Sequence, residues 1–211
     1  MTIVQSLWAF LFAATVLAMT PGVDTALVLR MSVAGGKARA ILAALGVAVG
    51  CLAWGALVAV GLGVLLATSS ILFTTLKIVG ATYLVWQGLK LLRGRRSGLQ
   101  LESGVADASS GSAAGAFLKG FLTNLLNPKV GVFYVTFLPQ FVPAGVDVAG
   151  FSFVLALIHV LLSFLWFAVL IALALRARAW LARPAVVAWM DRLTGIVFIG
   201  FGLKLAVARP A

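Results

Sequence analysis

The chain has 211 residues, 63% of them hydrophobic and only 10% charged, with a mean hydropathy of +1.16. That composition excludes a soluble domain, which needs far more polar surface. A single cysteine and a single histidine exclude disulfides and thiolate metal sites, and the +11 net charge has to be judged by where it sits.

A helix crosses the ~30 Å hydrocarbon core with roughly 20 apolar residues. Six such stretches can be drawn, about 4–29, 40–67, 72–92, 116–138, 149–175 and 190–207. None alternates polar and apolar as a barrel strand would. The expected class is an all-α integral membrane protein with six transmembrane helices.

The first stretch has no basic residue ahead of it and no small-x-small cleavage pattern, so it is expected to stay rather than be removed as a signal. "TPGVDTALVL" at 20–29 interrupts it. Thr favours helix N-caps and Pro the first helical position, so Thr20 and Pro21 predict a new half-helix starting inside the span. Such a start leaves unpaired N–H groups, tolerable in a bilayer only where protein buries them or a cavity meets them. A plain proline kink is the alternative. Gly22 would let the backbone approach a ligand closely. Asp24 sharpens the case, because a charge at the centre of a membrane helix costs roughly 2.5–3.5 kcal/mol even on the lenient insertion scale.

Arg30, Lys37 and Arg39 follow the first span. The second contains Cys51 and "GVAVG" at 46–50, a small-residue spacing common enough to carry little weight alone. Lys77, near the start of the third span, reads as an interfacial anchor, as does Lys204 in the sixth. Between spans three and four, residues 93–115 are rich in Gly, Ser and Ala and read as a flexible cytoplasmic linker. The fourth span carries the second interruption, "NLLNPK", with Asn124, Asn127, Pro128 and Lys129. Gln87 and Gln140 are weaker candidates for the same cavity. His159 stands alone in the fifth span, where a hydrogen-bonded packing role is weighed against a proton relay. Arg176, Arg178, Arg183 and Arg192 fall between spans five and six.

Twelve of the 16 basic residues thus occupy alternate loops. The positive-inside rule makes those loops cytoplasmic and puts both termini outside. Anionic lipid headgroups account for the charge, and no nucleic-acid partner is needed. The two halves, 1–92 and 116–211, also resemble each other. Pro21 and Pro128 differ by 107 positions, as do Val23 and Val130, and "GLKLL" at 88–92 matches "GLKLA" at 202–206. A three-helix repeat must insert its second copy upside down. The architecture expected is therefore two inverted three-helix repeats, with helices 1 and 4 broken at Pro21 and Pro128, as in many secondary transporters.

Asp24 and Lys129 then give a site with one anionic and one cationic pole beside two half-helix starts. That suits a zwitterion such as an amino acid, although a purely structural Asp24–Lys129 salt bridge stays open. A site for a cation alone would want several oxygen ligands, which a single acid within the spans does not supply. No phosphate loop, His-rich metal spacing or Ser-His-Asp triad can be assembled, so neither a cofactor nor enzymatic activity is expected.

"TPGVDTALVLRMSVAGGKARAILAALGVAVG", "KIVGATYLVWQGLKLLRG", "GFLTNLLNPKVGVFYVTFLPQFV" and "DRLTGIVFIGFGLKLA" together resemble the LysE/RhtB family of bacterial amino-acid exporters. The family's first motif usually reads Thr-Pro-Gly-Pro followed by Asn or Asp. Here Thr20, Pro21, Gly22 and Asp24 match and Val23 replaces the second proline. In the second motif Asn124, Asn127, Pro128 and Lys129 match. The resemblance implies a small multi-pass protein of the bacterial inner membrane that exports amino acids or close derivatives, driven by the proton gradient. It implies a substrate site at those eight residues. The partners expected are the amino acid, the lipid bilayer and, as an open alternative, a second copy in a homodimer.

Overall fold

A chain in hydrocarbon must satisfy its backbone polar groups internally, which helices do locally. The computed structural model describes residues 2–68, 70–93, 112–181 and 183–207, and among them there are helices and no strand. Helix α1 is Ile3–Met19, opened by Thr2 and Gln5, whose side chains each accept from the other's backbone N–H. Helix α2 is Val23–Arg30, followed by a π-helical turn at Met31–Gly35, α3 at Gly36–Thr68 and α4 at Ser70–Arg93. The second half has α5 at Ala113–Leu125 and α6 at Pro128–Val132, then a π segment at Phe133–Phe137 and a 3-10 turn at Leu138–Phe141. It closes with α7 at Val148–Ala172, α8 at Ala174–Leu181 and α9 at Pro184–Val207. Most of the linker, 94–111, lies outside the described residues, as do the side chains of Lys77 and Lys204.

Three described stretches are long and apolar enough to cross a membrane, Val23–Gly61, Val148–Ala172 and Pro184–Leu203. The first runs for 39 residues, roughly twice what one crossing needs. Gly36 interrupts it at φ 79°, a conformation open to glycine at little cost, and α2 packs against α3. Ile3–Met19 is a shorter apolar helix because the break that follows cuts it off. The arginine-rich stretch between spans five and six is not a plain loop: α8 occupies it, and α9 begins at Pro184, well before position 190. Proline fits that first helical position because its missing N–H would have no partner there.

The interior is aromatic. Phe10, Phe133, Tyr134, Phe137 and Phe141 are almost fully buried, with Phe10 and Phe141 edge to face at 5.3 Å between ring centroids. Trp8, Trp86, Trp189 and Leu161 point outward, as an apolar lipid-facing surface requires.

Two contacts position the site. A Cβ on Gly50 would lie 2.6 Å from Asn124 Oδ1, and one on Gly46 would collide with the Phe117 carbonyl, so these glycines let α3 come close against α5. The "GVAVG" spacing therefore matters more than its commonness suggested. Helix α4 meets α9 in the same way, where a Cβ on Gly88 would lie 2.7 Å from the Gly195 carbonyl oxygen.

Candidate functional site

Pro21 ends α1. The residue before a proline is pushed out of the helical region, and Thr20 is extended at φ −67°, ψ 121°. Its N–H still donates to Val16 O, closing α1, and Gly22 is extended as well, so α2 starts only at Val23. This corrects the reading of Thr20 and Pro21 as N-cap and first helical residue. Thr20 is the C-cap of α1, Pro21 lies in the gap, and Gly22 occupies the N-cap position without a side-chain bond. The Thr20 hydroxyl has other partners: it donates to Val16 O at 2.6 Å and is hydrogen-bonded to the Thr194 hydroxyl of α9.

The second break does follow the expected capping pattern. Asn127 is extended, Pro128 takes the first helical position, and Asn127 Oδ1 accepts from the Lys129 N–H at 3.1 Å. The amide end of the same side chain is then free to reach elsewhere.

It reaches the first break. Asp24 Oδ2 accepts from Asn127 Nδ2 at 3.2 Å and from Asn124 Nδ2 at 2.9 Å. In return, Lys129 Nζ donates to Thr20 O at 3.0 Å and Leu17 O at 3.2 Å, carbonyls at the end of α1. A helix C-terminus carries partial negative charge and favours a cation, while a carboxylate in the first turn of α2 suits the positive end. Each break supplies the polar partners that the other lacks.

Two cavities adjoin this knot. The larger, about 420 Å³, is lined by Thr20, Pro21, Gly22, Asn127 and Lys129 from the breaks and by Gln87, Leu91, Asp191 and Phe198 from α4 and α9. The smaller, about 40 Å³, is lined by Asp24, Asn124, Cys51, His159 and Ser163 and shares Thr20, Gly22, Asn127 and Lys129 with the larger. Asp24 Oδ1 is buried there without a hydrogen-bond partner. Of the eight residues singled out by sequence, five line the larger cavity, Asp24 and Asn124 line only the smaller, and Pro128 starts α6 with its side chain outside the described set. Gln87 lines the larger cavity, whereas the Gln140 amide donates to Thr136 O at 3.0 Å and lines neither. His159 is a packed, hydrogen-bonded histidine. Its Nδ1 lies 2.9 Å from the Tyr134 hydroxyl, and its ring is 5.0 Å from that of Phe133.

Sequence reasoning missed Asp191 and Thr194. Asp191 sits beside Arg192 at the edge of the stretch drawn at 190–207, where it passes for part of a basic interfacial segment. Because α9 starts at Pro184, Asp191 lies two turns into a helix and is 1% exposed, a second acid within the bundle. The available signal was the Asp191–Thr194–Phe198 spacing, which places all three on one helix face.

Apolar helices interrupted at polar, cavity-lining breaks are a construction that many membrane transport proteins use. The chain belongs to the LysE type translocator family, whose model matches residues 15–209, and this makes it a transporter and not an enzyme. The membrane protein YrhP of Bacillus subtilis strain 168 is 32% identical over 210 residues, covering 97% of this chain and 100% of that one. The threonine efflux protein of Escherichia coli K12 is 28% identical over 191 residues, 90% of this chain and 92% of its own. The leucine efflux protein of Klebsiella pneumoniae MGH 78578 is 32% identical over 202 residues, 95% and 94% of the two chains. No solved structure matches the chain significantly.

Proposed function

We propose that the protein exports amino acids or close derivatives across the bacterial inner membrane as a secondary transporter coupled to the proton gradient. The observation that carries this reading is the cavity of about 420 Å³ where residues of both helix breaks meet, with the Lys129 side chain on its wall. That volume falls within the ~300–1,000 Å³ of small-molecule sites. Lys129 suits a substrate carboxylate and disfavours a bare cation or a simple amine. Efflux proteins named for threonine and leucine, similar along nearly the whole chain, support the amino-acid class.

The mechanism we propose uses two inverted three-helix repeats, residues 1–92 and 116–211, joined by the cytoplasmic linker. Support comes from the α4–α9 contact. Gly88 meets the Gly195 carbonyl, and Gly202 meets the Ala81 carbonyl. An offset of 114, the spacing between "GLKLL" and "GLKLA", turns one contact into the other, as a pseudo-two-fold axis between inverted halves requires. The basic loops are cytoplasmic in this scheme. Helix α8 packs on the turn at Met31–Gly35, which brings the basic residues near 30–39 and 174–183 to one end of the bundle.

Comparing intracellular and external amino acids in cells with and without the protein tests the reading. Expression should lower the intracellular pool of at least one amino acid and raise its external level. Collapsing the proton gradient with an uncoupler should abolish the difference. Unchanged pools for all twenty amino acids would refute export.

A further inference from the structure

Resting on the exporter reading, we infer that Asp191 is the residue that binds the substrate's ammonium group, and that Asp24 has a different task. Size separates the two acids. The space at Asp24 is the smaller, about 40 Å³. The cavity that Asp191 lines is some ten times larger at about 420 Å³.

Position supports the assignment. Thr194, one turn beyond Asp191, is hydrogen-bonded to Thr20, which anchors this face of α9 to the first break. Phe198, a further turn along, lines the same cavity. Among the described lining residues Asp191 is the anion and Lys129 the cation, with Leu91, Leu126, Phe198 and Val23 supplying apolar surface. One acid, one base and an apolar remainder select a zwitterion with a neutral side chain. A basic amino acid would bring a second positive charge with no second acid on the wall to meet it.

The test pairs a residue change with a substrate change. Protein in proteoliposomes is first assayed for transport of each of the twenty L-amino acids. The best is then compared, as a competitor, with its des-amino carboxylic acid. In the unaltered protein, loss of the ammonium should weaken competition about tenfold to a hundredfold, the scale of a hydrogen bond to a charged group. In Asp191→Asn the amino acid should weaken by a similar factor while the des-amino acid is unchanged, so that the two become nearly equal. In Asp24→Asn the ratio should be unchanged when it is read as binding, from the ligand concentrations that raise the melting temperature of the detergent-solubilised protein. A ratio that persists in Asp191→Asn, or that collapses in Asp24→Asn alone, overturns the assignment. If Asp191→Asn does not accumulate as folded protein, Asp191→Glu is read instead. Its longer carboxylate should keep the ratio and shift preference toward smaller side chains, and an unshifted preference counts against the assignment. Absence of transport for all twenty amino acids would instead bring down the exporter reading itself.

Discussion

The two breaks are related by an offset of 107 residues and both contain a proline, yet they are built differently. At the second, Asn127 caps the next half-helix and Pro128 opens it, so the helix resumes with its start satisfied from within. At the first, three residues separate α1 from α2, Thr20 turns toward α9, and the N-cap Gly22 has no side chain to offer. The first break thus leaves carbonyls exposed at the negative end of α1 and a positive end of α2 without a side-chain cap. The second supplies Lys129 to one and its two asparagines to the Asp24 that sits at the other. Two breaks that touch need not be built alike, because a polar group absent from one can be supplied by the other.

That dependence can be broken, most severely at Asp24. Replacing it with Asn removes the charge and places a third amide among two amide donors already aimed at the position. Export should fall to background while the protein still inserts and accumulates, as checked by amino-acid efflux at matched expression. Asp24→Ala should in addition lower stability by about 1–3 kcal/mol for each donor left without an acceptor, read as a drop in detergent melting temperature. Near-normal efflux by Asp24→Asn would show that the first break does not need its charged partner.

Lys129→Met tests the reverse strap and should be milder. Two α1 carbonyls lose a charged donor, worth about 1.5–3 kcal/mol when buried and less here because Lys129 is only half-buried. Efflux should weaken, but less than in Asp24→Asn. Equal loss in the two variants would mean that the breaks cannot be ranked.

Gly50→Ala disturbs the second break from α3 without removing any of its polar atoms. The new methyl would press on Asn124, so a loss of about 1–3 kcal/mol is expected, with efflux falling in proportion as Asn124 leaves Asp24. Gly22→Ala should have the smallest effect. Its extended backbone, at φ −152°, is open to any residue, and a Cβ there meets Lys129 Nζ at an ordinary 3.8 Å. Melting should shift little. A large loss of efflux with unchanged stability would place the substrate against that backbone.

Asn127 and Pro128 were legible as a cap and a helix start because capping is a local matter of four or five residues. Thr20 and Pro21 carry the same local signal but act otherwise: Pro21 ends α1, and the Thr20 hydroxyl is bonded to Val16 O and to Thr194, 174 residues further along the chain. Asp24 was legible through its cost in lipid, an argument that needs no structure. Asp191 was not, because a carboxylate at the edge of an apolar stretch looks solvated until the true start of α9 is known.

By itself, then, the sequence determined the membrane class, the apolar helices, the two breaks and the acid and base that follow them. Those depend on hydrophobicity, proline geometry and the cost of charge, all of which act over a few neighbouring residues. Only the tertiary structure decided which break serves as partner to which, that Lys129 closes α1, and that the larger cavity belongs to Asp191 and not to Asp24. Those outcomes depend on helix crossings fixed by glycine contacts between distant segments, and no local pattern along the chain encodes such distances.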